Sequence, residues 1–299
     1  MPPTAWHSTD DLEEFLTRAG DFLHSRPDLH TVLLTVTEGL RTRGLRAYGD
    51  EAPFFGLLEE DGSVRGAYFR TPPHRLYLTP LTAARVDSLA AHLEVLGRVV
   101  PGVGAEAATA AGFAGAWRRR TGATPVPYRR QRLYRLGALT VPRPAPEGRP
   151  RIAGTRDRNL LVRWFGEFNR DVGESEGVRA ESWADARLAH DGVTLWEAPD
   201  GTPVSMAGLT PLVAGQIRVA PVYTPAPLRG RGYAGGATAE VSRLARQRGA
   251  DQVLLFTDLA NPTSNALYQR IGYRPVADFA VYDFQGQSSS RAQSPSVRR

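Results

Sequence analysis

Two hydrophobic periods alternate along the chain. Val86, Leu89, Leu93 and Leu96 fall on one face of a helix over Ala83–Leu96. A helix is also expected over Asp11–His24, with Asp10 as its N-cap, and another over Glu106–Arg120. Between them the pattern shortens to strands at Phe54–Glu59 and Val64–Arg70, joined through the hairpin pair Asp61-Gly62. Gln131–Leu136 reads as a closing strand. The second half begins with a strand at Arg151–Gly154. A helix follows over Asn159–Asn169, striped by Leu160, Leu161, Trp164 and Phe168, and a shorter one over Ser182–Ala189. Strands are predicted at Val193–Glu197, Val204–Leu209 and Gln216–Tyr223, then a long helix over Ala234–Arg248. A strand Val253–Thr257, a helix Pro262–Ile271 and strands at Arg274–Ala277 and Phe279–Phe284 complete the series.

This order predicts an α/β protein with a mixed central sheet flanked by helices in each half. The halves meet at Ala138–Pro150, where four prolines favour an extended, semi-rigid linker. Gln285–Arg299, rich in Ser, Gln and Arg, lacks the apolar surface to offset ordering and is expected to be disordered. The chain thus divides into an N-terminal domain, 1–137, a linker, 138–150, a C-terminal domain, 151–284, and a tail, 285–299.

Composition narrows the function. A length of 299 residues suits two domains, and 41% apolar residues suffice for ordinary cores. No run approaches the length of a bilayer span, and the first ten residues have no signal-peptide pattern, so a cytoplasmic protein with no membrane contact is expected. There is no Cys, which removes disulfides and thiolate chemistry, and the six His are scattered, so no metal is expected. The net charge of +6 comes from 37 basic residues, all Arg, interspersed with 31 acids. No nucleic-acid motif accompanies them.

Leu228–Gly236, LRGRGYAGG, lies between a predicted strand and a predicted helix. Gly230, Gly232 and Gly235 spell GxGxxG, and Asp258 ends the next strand, which fits a dinucleotide turn. Too little chain follows for further βα units, however, and Tyr223-Thr224-Pro225-Ala226-Pro227 is a proline-rich excursion rather than a tight turn. A second pattern, R-x-x-G-x-A, runs from Arg229 to Ala234. Glycines there let successive N–H groups face one concavity before a helix N-terminus, where pyrophosphate is favoured, and Arg229 and Arg231 add positive charge.

Together with Asn261-Pro262-Thr263-Ser264-Asn265-Ala266-Leu267-Tyr268 and the pair Gly272-Tyr273, this turn resembles the acetyl-CoA-binding core of the GNAT superfamily of acetyltransferases. The resemblance is specific over Val204–Phe284. It implies acetyl-CoA as cosubstrate, bound by Arg229, Gly230, Arg231, Gly232, Tyr233 and Ala234, and a strand that splays at Val222-Tyr223-Thr224 to hold the pantetheine arm. It also implies a contact from Asn261, which equally suits an N-cap before Pro262. The N-terminal half more faintly resembles the degenerate domain of tandem family members. Its nearest counterpart to the glycine turn is Pro101-Gly102-Val103-Gly104, without the arginine.

Acetyl transfer to an amine needs a neutral amine, an oxyanion donor and a proton for the leaving thiolate. Tyr268, protonated at neutral pH and placed where the family places its acid, is the expected proton donor. No carboxylate lies on Gln216–Tyr223; Glu167, Glu174 and Glu197 are the alternatives for a base, as is a water chain. The expected activity is transfer to a primary amine, in a small molecule or peptide, by direct reaction in a ternary complex. A non-catalytic acyl-CoA sensor is the alternative. The acceptor and the oligomeric state are not legible.

Overall fold

The computed structural model describes residues 5–174 and 179–286. The N-terminal half runs β1 (Ala5–Thr9), α1 (Leu12–Ser25), α2 (Thr31–Arg43), β2 (Phe54–Glu60), β3 (Ser63–Arg70), β4 (Leu76–Leu78), α3 (Ala83–Val95), β5 (Gly102–Glu106), α4 (Ala107–Thr121) and β6 (Thr124–Leu136). The C-terminal half runs β7 (Arg149–Ile152), α5 (Arg158–Asp171), α6 (Ala180–Leu188), β8 (Val193–Glu197), β9 (Pro203–Leu209), β10 (Gln216–Tyr223), α7 (Tyr233–Gln247), β11 (Gln252–Asp258), α8 (Pro262–Ile271) and β12 (Tyr273–Gln285). Apart from short 3₁₀ turns, the two halves repeat one series, β-α-α-β-β-β-α-β-α-β.

All twelve strands join one mixed sheet, in the order β1-β2-β3-β4-β5-β12-β6-β11-β10-β9-β8-β7. The centre is an exchange. β6 leaves the first half to pair with β11 of the second, Leu254 opposite Arg135 through Asp258 opposite Gln131. β12 returns the exchange by pairing with β5, Phe279 opposite Glu106 through Asp283 opposite Gly102. β6 and β12 then run antiparallel along nearly their whole lengths. Arg132 clamps Asp278 across that seam at 2.6 and 2.9 Å, a bidentate pair. Neither half therefore closes its own sheet.

Helices α3 and α4 bury one face of the first half-sheet, with Phe113 and Trp117 stacked 5.8 Å apart in a core that includes Phe284 of β12. Helices α7 and α8 bury the second half-sheet around Val219, Ala237, Leu255 and Tyr268. Helices α1 and α2 pack on β2 and β3, and α5 and α6 on β8 to β10. Helix α2 also reaches the second half, because Thr31 at its start donates to Gln216 Oε1 of β10 at 2.9 Å.

Three expectations change. The cap of α1 is Asp11, which accepts from the Glu13 and Glu14 amides, not Asp10. Pro101–Gly104 is no turn: Gly102–Gly104 lie in β5, and Gly102 has Tyr282 O 2.4 Å from where a Cβ would stand, so close strand packing explains it. The positional counterpart of the glycine turn is instead Thr79-Pro80-Leu81-Thr82, between β4 and α3. The strands expected at 274–277 and 279–284 are one, β12.

The proline-rich segment lies against the second half. Thr140 N donates to Ile271 O at 2.8 Å, Trp196 Nε1 donates to Glu147 O at 2.8 Å, and Pro146 sits over Gly236 of α7. Gly236 is needed there, since a Cβ would stand 2.8 Å from Pro146 and 2.9 Å from Trp196. Of the expected tail, Gln285 ends β12 and 287–299 lie outside the described residues. Among the described residues no helix is long and apolar enough to cross a membrane.

Candidate active site

The site begins with a defect in the sheet. β10 and β11 pair in parallel at only three positions, ending with Arg218 opposite Leu254. β11 then turns to β6, while β10 runs on through Val219–Tyr223, paired only with β9. The β10–β9 register shifts between Val219 and Val222, at Pro221, whose ring nitrogen cannot donate to a ladder. The edge of β10 that faces β11 is thus open over its last five residues.

At the mouth of this opening stands the glycine turn. Gly230 and Gly232 have φ of +79° and +82°, a region other residues avoid, and Gly232 is the N-cap of α7. Gly232 O receives the Gly236 amide at 3.1 Å, but no described backbone carbonyl takes up the amides from Gly230 to Gly235. This leaves a row of N–H donors at the positive end of a 15-residue helix. Tyr233 is buried in the core and Ala234 half-buried, while Arg231 is exposed and has no ion-pair partner among the described residues. Arg229 turns back instead: it donates to Thr224 O at 2.9 Å and pairs with Asp171 at the end of α5. It tethers the turn to β10 and α5.

Tyr223 and Thr224 are buried at the end of β10. Ser205 Oγ of β9 donates to Tyr223 O at 3.0 Å and meets Thr224 Oγ1 at 2.8 Å. The Tyr223 hydroxyl donates to Glu167 Oε2 of α5 at 2.9 Å. Burial, and then the carboxylate beside it, push this phenol up to about 12. Val222 is half-buried against the α7 core.

Tyr268 of α8 belongs to that same core and packs edge-on to Tyr273, with ring centres 6.1 Å apart. Its hydroxyl has no hydrogen-bond partner among the described residues, and burial alone pushes it up to about 12. Asn261 caps α8, its Oδ1 accepting the Ser264 amide at 3.0 Å. Asn265 is held by Tyr134 of β6 at 2.8 Å, so the first half's strand also positions α8.

Of the three carboxylates considered as base, only Glu167 reaches the open strand. Glu197 is buried between Arg151 and Arg149, at 2.6 and 3.9 Å, and Glu174 pairs with Arg129 at 2.5 Å. Asp171 and Ser205 escaped the sequence reading, because their partners lie 58 and 18 residues away. Pro221 carried a legible signal, since a proline inside a central strand marks a break in its ladder.

An open parallel pair with a donor-lined turn at its mouth is an arrangement suited to an extended ligand with an anionic end. Residues 158–273 match the Acetyltransferase (GNAT) family, so this stretch is an acetyltransferase domain of that family and the protein is an acyltransferase. A GCN5-related N-acetyltransferase from Sphaerobacter thermophilus is similar in structure, with a TM-score of 0.59 at 18% identity, covering 94% of this chain and 96% of that one. A GNAT-family acetyltransferase from Colwellia psychrerythraea gives 0.58 at 13% identity, covering 94% and 99%. A tandem GNAT protein from the clavulanic acid biosynthesis pathway gives 0.57 at 12% identity, covering 96% and 100%. At such identities the likeness is one of fold, and it extends over both halves. A comparison with curated proteins finds no match.

Proposed function

We propose that the protein is an acetyl-CoA-dependent N-acetyltransferase that moves an acetyl group directly to a primary amine while both substrates are bound. The observation that carries this reading is the open edge of β10 ending at a turn whose six consecutive amides lack backbone partners. That combination suits an extended pantetheine arm with a pyrophosphate at its end. The amides of Gly230–Gly235 and the Arg231 guanidinium hold the pyrophosphate. The edge from Val222 to Thr224 aligns the arm, and Asn261 contacts it through its free Nδ2 while Oδ1 caps α8. Arg229 keeps the turn in place through Thr224 and Asp171.

In the reaction the amine nitrogen bonds to the acetyl carbon and the C–S bond breaks. The amine must shed a proton first, and Glu167 is the carboxylate at the open strand that can take it. A backbone N–H near Tyr223 donates to the developing oxyanion. The thiolate takes its proton from Tyr268, whose raised pKa keeps it protonated at any ordinary pH, and the second proton shed by the amine nitrogen as the intermediate collapses restores the phenol. A screen of amines that follows thiol release from acetyl-CoA tests the reading. Release that depends on an amine is expected. Acetyl-CoA binding without release for any amine would favour a sensor, and tight NAD binding without acetyl-CoA binding would overturn the site itself.

A further inference from the structure

At the last residue of β10 paired with β11, two arginines come together with no acid beside them among the described residues. Arg218 of β10 and Arg187 of α6 are half-buried near each other, where the second half meets the first. Most arginines packed this deeply have an acid; Arg151, for example, holds both Asp157 and Glu197. Among the described residues neither Arg187 nor Arg218 has one. Their charged surroundings are each other, Arg43, and the phenols of Tyr48 and Tyr77 from the first half. Arg218 donates only a long 3.3 Å bond to Thr31 Oγ1, and its guanidinium lies 5.9 Å from the Phe256 ring. Arg187 Nε is buried without a partner, and so is the Nε2 of fully buried Gln216 beside Thr31.

Two like charges packed together with unmet donors are costly in a protein interior. Burial and mutual repulsion accordingly push Arg187 down to about 10. An oxyanion would reverse the sign of every one of these terms, because a guanidinium fork matches a carboxylate or phosphate and the orphan donors would be met. Arg218 and Tyr223 both point to the α5–α6 side, five residues apart on one strand, so their backbones are at most about 17 Å apart. A molecule held by the arginines can therefore reach the open strand.

We propose that Arg187 and Arg218 bind a carboxylate or phosphate on the acceptor, so that the substrate is a small amine with an oxyanion at its other end. This rests on the acetyltransferase reading of the open strand. The first half then has a direct role, since its Thr31, Tyr48 and Tyr77 lie beside the arginines.

The test compares 4-aminobutyrate, 2-aminoethyl phosphate and 4-aminobutanamide, the uncharged control, in the full-length protein and in Arg187→Met and Arg218→Met. Kcat/KM for at least one anionic amine is expected to exceed that for the amide by tenfold or more, and both variants should erase the ratio. Whichever anion gives the larger value names the oxyanion. Each anionic amine should raise Tm in the wild type and not in the variants, and Arg187→Met should raise Tm in the absence of ligand, since it removes an uncompensated charge. Acetyl-CoA titration shows that the variants are folded. Equal kcat/KM for the amide, a preference that survives both variants, or no Tm response to either anion would overturn the proposal. If acetyl-CoA fails to bind while the anions still stabilise only the wild type, the acetyltransferase reading falls and the oxyanion site stands.

Discussion

The connection from β4 to α3 and the connection from β10 to α7 occupy the same place in the repeated series, yet only the second follows a long unpaired strand edge. β10 runs five residues beyond its last pair with β11, whereas β4 runs one beyond its last pair with β5, Tyr77 opposite Gly104. The second connection is nine residues long, Thr224–Gly232, and the first is four, Thr79–Thr82. In the first, Pro80 has no N–H, the Thr79 amide reaches Ala67 O at 3.0 Å, and the Leu81 amide reaches Thr109 Oγ1 at 2.9 Å. In the second, the amides of Gly230–Gly235 find no backbone partner among the described residues. Both connections leave the first-turn amides of their helix without backbone partners among the described residues, so what sets the second apart is the open strand edge before it and the positive φ of Gly230 and Gly232.

The strongest way to break this comparison is to separate the halves. A chain of residues 150–299 lacks β6, which separates β11 from β12, so it is expected to show no cooperative thermal transition and no acetyl-CoA binding. Co-expression with residues 1–149 should restore both. A fragment that folds and binds alone would show the exchange to be dispensable.

Gly232→Val tests the turn itself. The position has φ of +82° with nothing closer than 3.6 Å to an added Cβ, so the fold should survive with a loss of about 1–3 kcal/mol from backbone strain. Acetyl-CoA affinity, read by calorimetry, should fall by about a hundredfold, roughly 2.8 kcal/mol. Retained affinity would make the second connection as inert as the first.

Tyr268→Phe keeps the ring in its core and removes only the hydroxyl. If it supplies the thiolate's proton, kcat should fall by about 10²–10⁴ with little change in acetyl-CoA affinity. The pH profile adds a sign. The phenol is an acid, so activity is lost only as pH rises through its pKa, and with that at about 12 this group should impose no alkaline fall below about pH 10. A near-normal kcat would remove it from the mechanism.

Asn261→Ala should have the smallest effect. It deletes the 3.0 Å cap on Ser264 N, worth about 1 kcal/mol, or about 2 °C in Tm. A further drop in acetyl-CoA affinity would separate contact with the arm from capping.

The sequence by itself determined the local elements and the placement of the glycine turn. Periodicity, caps and φ-permissive glycines act over a few residues, so Asp61-Gly62, the stripe of α5 and Arg229–Ala234 could be read directly. It also determined the absence of thiol chemistry. Elements with weak patterns, such as β1, α2 and the three-residue β4, were not legible, because their burial depends on neighbours distant in the chain. Only the tertiary structure decided that β6 and β12 change places, that the proline segment packs on α7, that Glu167 rather than Glu174 or Glu197 meets Tyr223, and that Arg187 and Arg218 lie together without an acid among the described residues. Each of these joins residues tens to more than a hundred positions apart, and such pairings are selected by the packing of the whole sheet rather than by any local pattern.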